Sequence, residues 1–149
     1  MQGHTMPTLF EDKFAIAERI AAYNQSLDQG RYDDFLACWA EDGVFDGLGG
    51  PYVGKPAIRD FISRYDERYR LRLHGLRHFT VNILSTIDGD QASSNSHLQL
   101  VTTGAQGVRI LFSGVYADTL RREGGQWLFT RRRLFQDTAG QPAAVPTPG

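Results

Sequence analysis

Four segments decide the fold: LRHFTVNILSTI at 76–87, QASSNSHLQLVTT at 91–103, VRILFSGVYADTLR at 108–121 and QWLFTRRRLF at 126–135. They carry the alternation of half-buried strands. Each is followed by a turn or ends the series: Asp88-Gly89-Asp90, Gly104–Gly107 and Glu123-Gly124-Gly125 separate them. Four long strands joined by three tight turns make an antiparallel meander. Upstream, residues 8–72 carry helical spacing. Helices first and a strand meander afterwards is the α+β pattern, with about three helices packed on one face of a curved, mainly antiparallel sheet.

Thr8-Leu9-Phe10-Glu11 has the form of a capping box. The helix it opens carries an apolar stripe through Ile16, Ala17, Ile20, Asn24 and Leu27, and Gly30 stops it after about Gln29. A shorter helix is expected over Asp33–Ala40, with Phe35, Leu36 and Trp39 inward. Asp42-Gly43 then turns the chain into a short strand, Val44–Asp46. Four glycines and a proline make 47–54 a loop. Pro56 suits the first turn of a third helix, whose buried stripe is Ile58, Phe61, Ile62 and Tyr65. The start (1–7) and the Pro/Ala tail (138–149) read as disordered, leaving 8–137 as a single domain. No internal repeat is present.

The chain has 149 residues, 41% hydrophobic and 22% charged, with 16 basic against 17 acidic side chains and a formal net charge of −1. That balance argues against nucleic-acid binding, which brings a basic excess. One cysteine, Cys38, excludes an internal disulfide framework and suits a reducing compartment. No apolar run approaches the ~20 residues that span a bilayer, and 1–7 lacks a secretory profile. The expected setting is cytoplasmic, with no membrane partner.

Four histidines exist: His4, His74, His78 and His97. His4 and His74 fall at the start and at a helix-to-strand junction. His78 alternates with Thr80 and Asn82, opposite Phe79, Val81 and Ile83; His97 alternates with Asn95 and Gln99. In a half-buried sheet the polar face meets water, and on pattern alone both histidines are surface residues. Asp28 pulls the other way. At about 100° per residue from Ile20, Leu27 falls near 340° and Asp28 near 80°, so Asp28 borders the apolar stripe, and Tyr23 borders its other edge. A carboxylate there is partly desolvated unless a donor meets it; the plainer alternative is a helix-end carboxylate in water. Metal-ligand spacings, a Gly-x-Ser-x-Gly elbow, a P-loop and a dinucleotide fingerprint are all missing. Arg64, Arg68, Arg70, Arg72 and Arg77 interleave with Asp60, Asp66 and Glu67 and read as a solvated, ion-paired face. In Arg131-Arg132-Arg133, alternation turns at least one side chain against the others, and Arg132 could reach an interior anion or carbonyl.

These residues resemble the SnoaL-like families of the nuclear transport factor 2-like (cystatin-like) superfamily. The likeness is carried by Ala22-Tyr23 and Leu27-Asp28-Gln29-Gly30-Arg31-Tyr32, Phe35…Trp39-Ala40-Glu41-Asp42-Gly43-Val44-Phe45, Gly54-Lys55-Pro56-Ala57-Ile58, Arg77-His78-Phe79-Thr80-Val81-Asn82, Gly114-Val115-Tyr116-Ala117-Asp118 and Gly125-Gln126-Trp127. It spans roughly 9–136. It implies a cone-shaped α+β barrel with an apolar pocket between helices and sheet, into which a polar strand face bearing His78 and Asn82 can point. The apolar face of Phe79, Val81 and Ile83 would then be covered by a second subunit, giving a homodimer or higher homo-oligomer.

By resemblance to the scytalone dehydratase and hexachlorocyclohexane dehydrochlorinase branches, Asp28 orients His78. His97 corresponds to a second pocket histidine, Tyr23 and Tyr52 to active-site tyrosines, and Arg132 to a pocket arginine. Trp39, Phe45, Phe61, Tyr65, Phe112 and Tyr116 are pocket-lining candidates that would serve equally as plain core. The reading is a cofactor-independent lyase or isomerase that takes a proton from a hydrophobic, cyclic small molecule, with no metal. Because this fold also hosts unrelated tasks, the alternative is a non-catalytic ligand binder or a scaffold like the β subunit of ring-hydroxylating dioxygenases.

Overall fold

A computed structural model describes residues 3, 5–47, 49–138 and 142–144. Two helices open the chain, α1 (Leu9–Asp28) and α2 (Tyr32–Ala37), followed by strands β1 (Trp39–Asp46) and β2 (Tyr52–Val53). Helix α3 (Lys55–Tyr65) runs into a π-helical turn, Asp66–Arg70. The meander is β3 (Arg77–Asp88), β4 (Gln91–Gly104), β5 (Gly107–Glu123) and β6 (Gln126–Gln136). Each of its strands begins and ends within two residues of the expected bounds. The six strands lie in the order β2-β1-β6-β5-β4-β3. All neighbours are antiparallel except β1 and β6, which run parallel. No helix among the described residues is long and apolar enough to cross a membrane.

Helix α1 starts as its capping box dictates. The Glu11 amide donates to Thr8 Oγ1 at 3.2 Å and the Thr8 amide donates to the Glu11 carboxylate at 2.7 Å. Ile16, Ile20, Tyr23, Asn24 and Leu27 are all buried. The far end of the sheet is tied back to α1: Arg122 reaches both oxygens of Asp12 (2.6 and 3.1 Å), and the Trp127 indole donates to Asp12 Oδ1 at 3.1 Å.

Three expectations need correction. The second helix ends at Ala37, because Trp39 and Ala40 already belong to β1. Trp39 is fully buried between the rings of Tyr23, Phe35 and Phe129, and the Phe129 amide donates to the Cys38 carbonyl at 2.9 Å. Sheet pairing overrides helical spacing there. The 47–54 loop contains β2, in which Tyr52 and Val53 pair with Phe45 and Val44. Finally, β3 does not alternate throughout. Its register with β4 shifts between Val81 and Leu84, and Asn82 adopts φ 55°. This β-bulge inserts one residue, so Ile83 turns into the core cluster while Leu84 joins Phe79 and Val81 on the outer face.

Of the ends expected to be disordered, Met1, Gln2 and His4, together with 139–141 and 145–149, lie outside the described residues. Within the described part, the Ala143 amide donates to Asp137 Oδ1 at 2.7 Å.

Candidate functional site

Asn24 and Asp28 stand four residues apart on α1 and so share one face. That face crosses β3 where His78 and Thr80, two residues apart, share the inner face of the strand. Asn24 Nδ2 donates to Thr80 Oγ1 at 2.9 Å. Asp28 is held twice by His78: the backbone amide donates to Oδ2 at 2.9 Å, and ring Nδ1 lies 2.5 Å from Oδ1. The two side chains are only 5% and 13% exposed. In the neutral imidazole the carboxylate favours the tautomer with its proton on Nδ1, which leaves the Nε2 lone pair free.

His78 is part of the wall of a cavity of about 150 Å³. An apolar cavity of ~150 Å³ admits one benzene ring, so the space suits a single-ring guest. The walls are aromatic and aliphatic. Tyr23, Phe45, Tyr52, Phe61, Phe112 and Tyr116 contribute, as do Leu27, Leu100 and Leu134. Tyr65 lies on the same wall, its ring centroid 6.2 Å from that of His78. Its hydroxyl is buried and has no hydrogen-bond partner among the described residues. Burial, reinforced by the Asp28 charge, pushes the Tyr65 phenol well above its usual range. At neutral pH it is therefore a proton-bearing donor with nothing to donate to.

Behind the cavity wall sits a buried ion pair. Arg132 Nε and Nη2 donate to the two oxygens of Asp118 at 3.0 and 3.3 Å, and both side chains are wholly inaccessible. The guanidinium is stacked 3.6 Å from the centroid of Tyr116 and 4.3 Å from that of Tyr23. Desolvation pushes Asp118 up to about 6 against the pull of Arg132, while Arg132 stays cationic.

Residues 9–133 match the SnoaL-like domain family. The chain belongs to the SnoaL-like family. Solved structures agree. A variant of Rv3472 from Mycobacterium tuberculosis, described as a protein of unknown function, is 29% identical with a TM-score of 0.80, covering 93% of this chain and 80% of its own. An NTF2-like protein with a cystatin-like fold from Novosphingobium aromaticivorans is 27% identical, TM-score 0.75, covering 85% and 82%. A chain from the same organism described as a candidate aromatic ring hydroxylase is 28% identical, TM-score 0.73, covering 91% and 94%.

In this SnoaL-like chain the structure brings together Asp28, His78, Tyr23, Tyr52, Phe45, Phe61, Tyr65, Phe112 and Tyr116. It separates four residues expected with them. His97 is exposed on the outer face of the sheet, where Asn82 Nδ2 lies 3.0 Å from its Nδ1. The cause is register: His78 pairs with Leu100 and Val81 with His97, so on β4 it is Leu98 and Leu100 that face inward. Asn82 is carried outward by the bulge described above. Trp39 is core behind Tyr23 and Phe45, and Arg132 supports the wall from behind without lining it.

Sequence reasoning missed Leu27, Leu100, Leu134, Gly49 and Tyr69 on the cavity wall, and also Arg64 and Arg68. The last two were counted in an ion-paired face, yet among the described residues only Arg70 of that run has a carboxylate partner, Asp66 at 2.6 Å. The sequence did hold a signal: Arg64-Tyr65 and Arg68-Tyr69 repeat at the helical spacing that puts both pairs on adjoining strips of one surface. No group of three or more His, Cys, Asp or Glu side chains among the described residues is arranged to hold a metal ion.

Proposed function

We propose that the chain is a cofactor-independent lyase or isomerase in which the Asp28–His78 pair removes a proton from a hydrophobic, cyclic small molecule. The observation that carries this reading is the 2.5 Å contact between His78 Nδ1 and Asp28 Oδ1 on the wall of an apolar, ring-sized cavity. His78 Nε2 accepts the proton from a substrate carbon, and the electron pair left behind moves toward an adjacent carbonyl. Asp28 stabilises the imidazolium that forms. In an elimination the pair then expels a β-hydroxyl, which takes the proton back from the His78 imidazolium and leaves as water. In an isomerisation the imidazolium returns the proton to another carbon. Tyr65, a buried donor without a partner among the described residues, would steady the developing oxyanion. Of the donors offered by the sequence, His97 or a tyrosine, His97 is on the wrong face for this.

The test is proton exchange from single-ring ketones and β-hydroxy ketones in deuterated water, followed by NMR. His78→Ala should lower the catalysed rate by about 10²–10⁴-fold with an unchanged circular dichroism spectrum; a variant that keeps the native rate overturns the assignment. One likeness favours a second reading. The 28% identical neighbour described as a candidate aromatic ring hydroxylase leaves room for a role in aromatic-ring oxygenation, with this chain as a non-catalytic ligand binder or scaffold. In that case His78→Ala changes ligand affinity or co-purification with a larger chain, and no intrinsic turnover exists to lose. The working unit under the first reading is the single domain 8–137, cytoplasmic, with its outer sheet face covered by a second copy.

A further inference from the structure

We propose that Arg64 and Arg68 form an anion-binding subsite at the mouth of the cavity, so that the guest is a single-ring apolar molecule bearing a carboxylate. This rests on the reading of the cavity as a substrate site. Both arginines contribute to its wall while being exposed to solvent, which places them at its opening. They lie four residues apart across the junction of α3 with the π-helical turn, so two cations are held side by side. Like charges at that spacing repel. Neither makes an ion pair within 4 Å among the described residues, and Arg68 only stacks on Tyr69, 6.0 Å from its centroid.

Two acids lie between the arginines in sequence: Glu67 is exposed and pairs with neither arginine within 4 Å, and Asp66 is already committed. Asp66 accepts hydrogen bonds from the Tyr32 hydroxyl and from Arg70 Nε. Despite its desolvation, those contacts hold it below the usual carboxylate range.

A second, independent feature points to a polar guest. Tyr65 follows Arg64 directly and belongs to the same cavity wall, and its buried hydroxyl has no hydrogen-bond partner among the described residues. A carboxylate at the opening would meet two guanidinium forks, for which carboxylate geometry is suited. Its ring would then fill the aromatic chamber, and the carbon farthest from the carboxylate would lie toward His78 and Tyr65. The arginines would fix which end of the guest enters first.

The experiment compares benzoate with benzamide, which has the same ring and shape without the charge, by isothermal titration at low salt. Benzoate should bind at least tenfold tighter to the native protein. In the Arg64→Gln, Arg68→Gln double variant the two ligands should bind within twofold of each other, with benzamide affinity unchanged. Raising the salt should weaken benzoate alone. Circular dichroism checks the fold, which these exposed positions leave intact. Equal binding of the two ligands by the native protein overturns the subsite and leaves the substrate-cavity reading standing. So does a preference for benzoate that survives in the double variant. Failure of both ligands to bind at millimolar concentration overturns the subsite and the cavity reading together.

Discussion

Tyr65 sets stability against chemistry at a single atom. A buried hydroxyl without a partner costs roughly 1–3 kcal/mol of desolvation, and this one lies on the cavity wall near His78. Tyr65→Phe should therefore leave the fold as stable as the native protein or stabilise it by up to about 1 kcal/mol. The same change should lower the proton-transfer rate by about 10²–10³-fold if the hydroxyl steadies an oxyanion. Urea unfolding and the exchange assay read the two effects separately.

Asp118 gives a prediction of opposite kind. Its folded value of about 6 lies above the 3.8 of an ordinary Asp, so the folded protein binds this proton more tightly than the unfolded chain does. The stability contributed by this group is full below about pH 4 and declines as the pH rises to about 6. Carbon NMR of the Asp118 carboxyl should show it titrating near pH 6; a carboxyl already ionised at pH 4.5 refutes the assignment. Asp28 was legible because one angle on a helical wheel placed it at the edge of an apolar stripe. Tyr65 was legible as an inward ring, but an orphaned hydroxyl is a fact about neighbours and leaves no trace in a sequence.

At the scale of the element, the bulge in β3 divides the strand into two halves with opposite alternation. Upstream of it His78 and Thr80 face α1; downstream Ile83 and Ile87 pack against the core. Asn82 occupies left-handed backbone at φ 55°, which asparagine and glycine tolerate and β-branched residues do not. Asn82→Gly should remain within about 0.5 kcal/mol of native stability, while Asn82→Val should cost about 1–2 kcal/mol, both measured by urea denaturation. Strict period-two reading carried Ile83 to the outside and Asn82 inside because a one-residue insertion has no periodic signature. The four meander strands were legible since turn residues bracket each one. Strand β1 was not, because Trp39 and Ala40 continue a helical spacing and only the parallel partner β6 draws them into the sheet.

Across the whole molecule, the outer sheet face is one surface at odds with water. Phe79, Val81 and Leu84 are 49%, 51% and 72% exposed on one strand, and adjacent exposed apolar residues of this kind mark interaction surfaces. If a second copy covers them, sedimentation equilibrium should return a dimer, and Phe79→Glu with Val81→Glu should return a monomer that keeps its helical content. A native protein that stays monomeric at high concentration removes the dimer.

The double grip of Asp28 on His78 bears on when the proposed activity would arise. The carboxylate belongs to the opening helix and the imidazole to a strand fifty residues later, and neither element can orient the base alone. If the pair is the base of the proposed reaction, competence for proton transfer would arise only once helix and sheet have docked. A newly made or half-assembled chain, however much secondary structure it holds, would be chemically silent toward the metabolites around it.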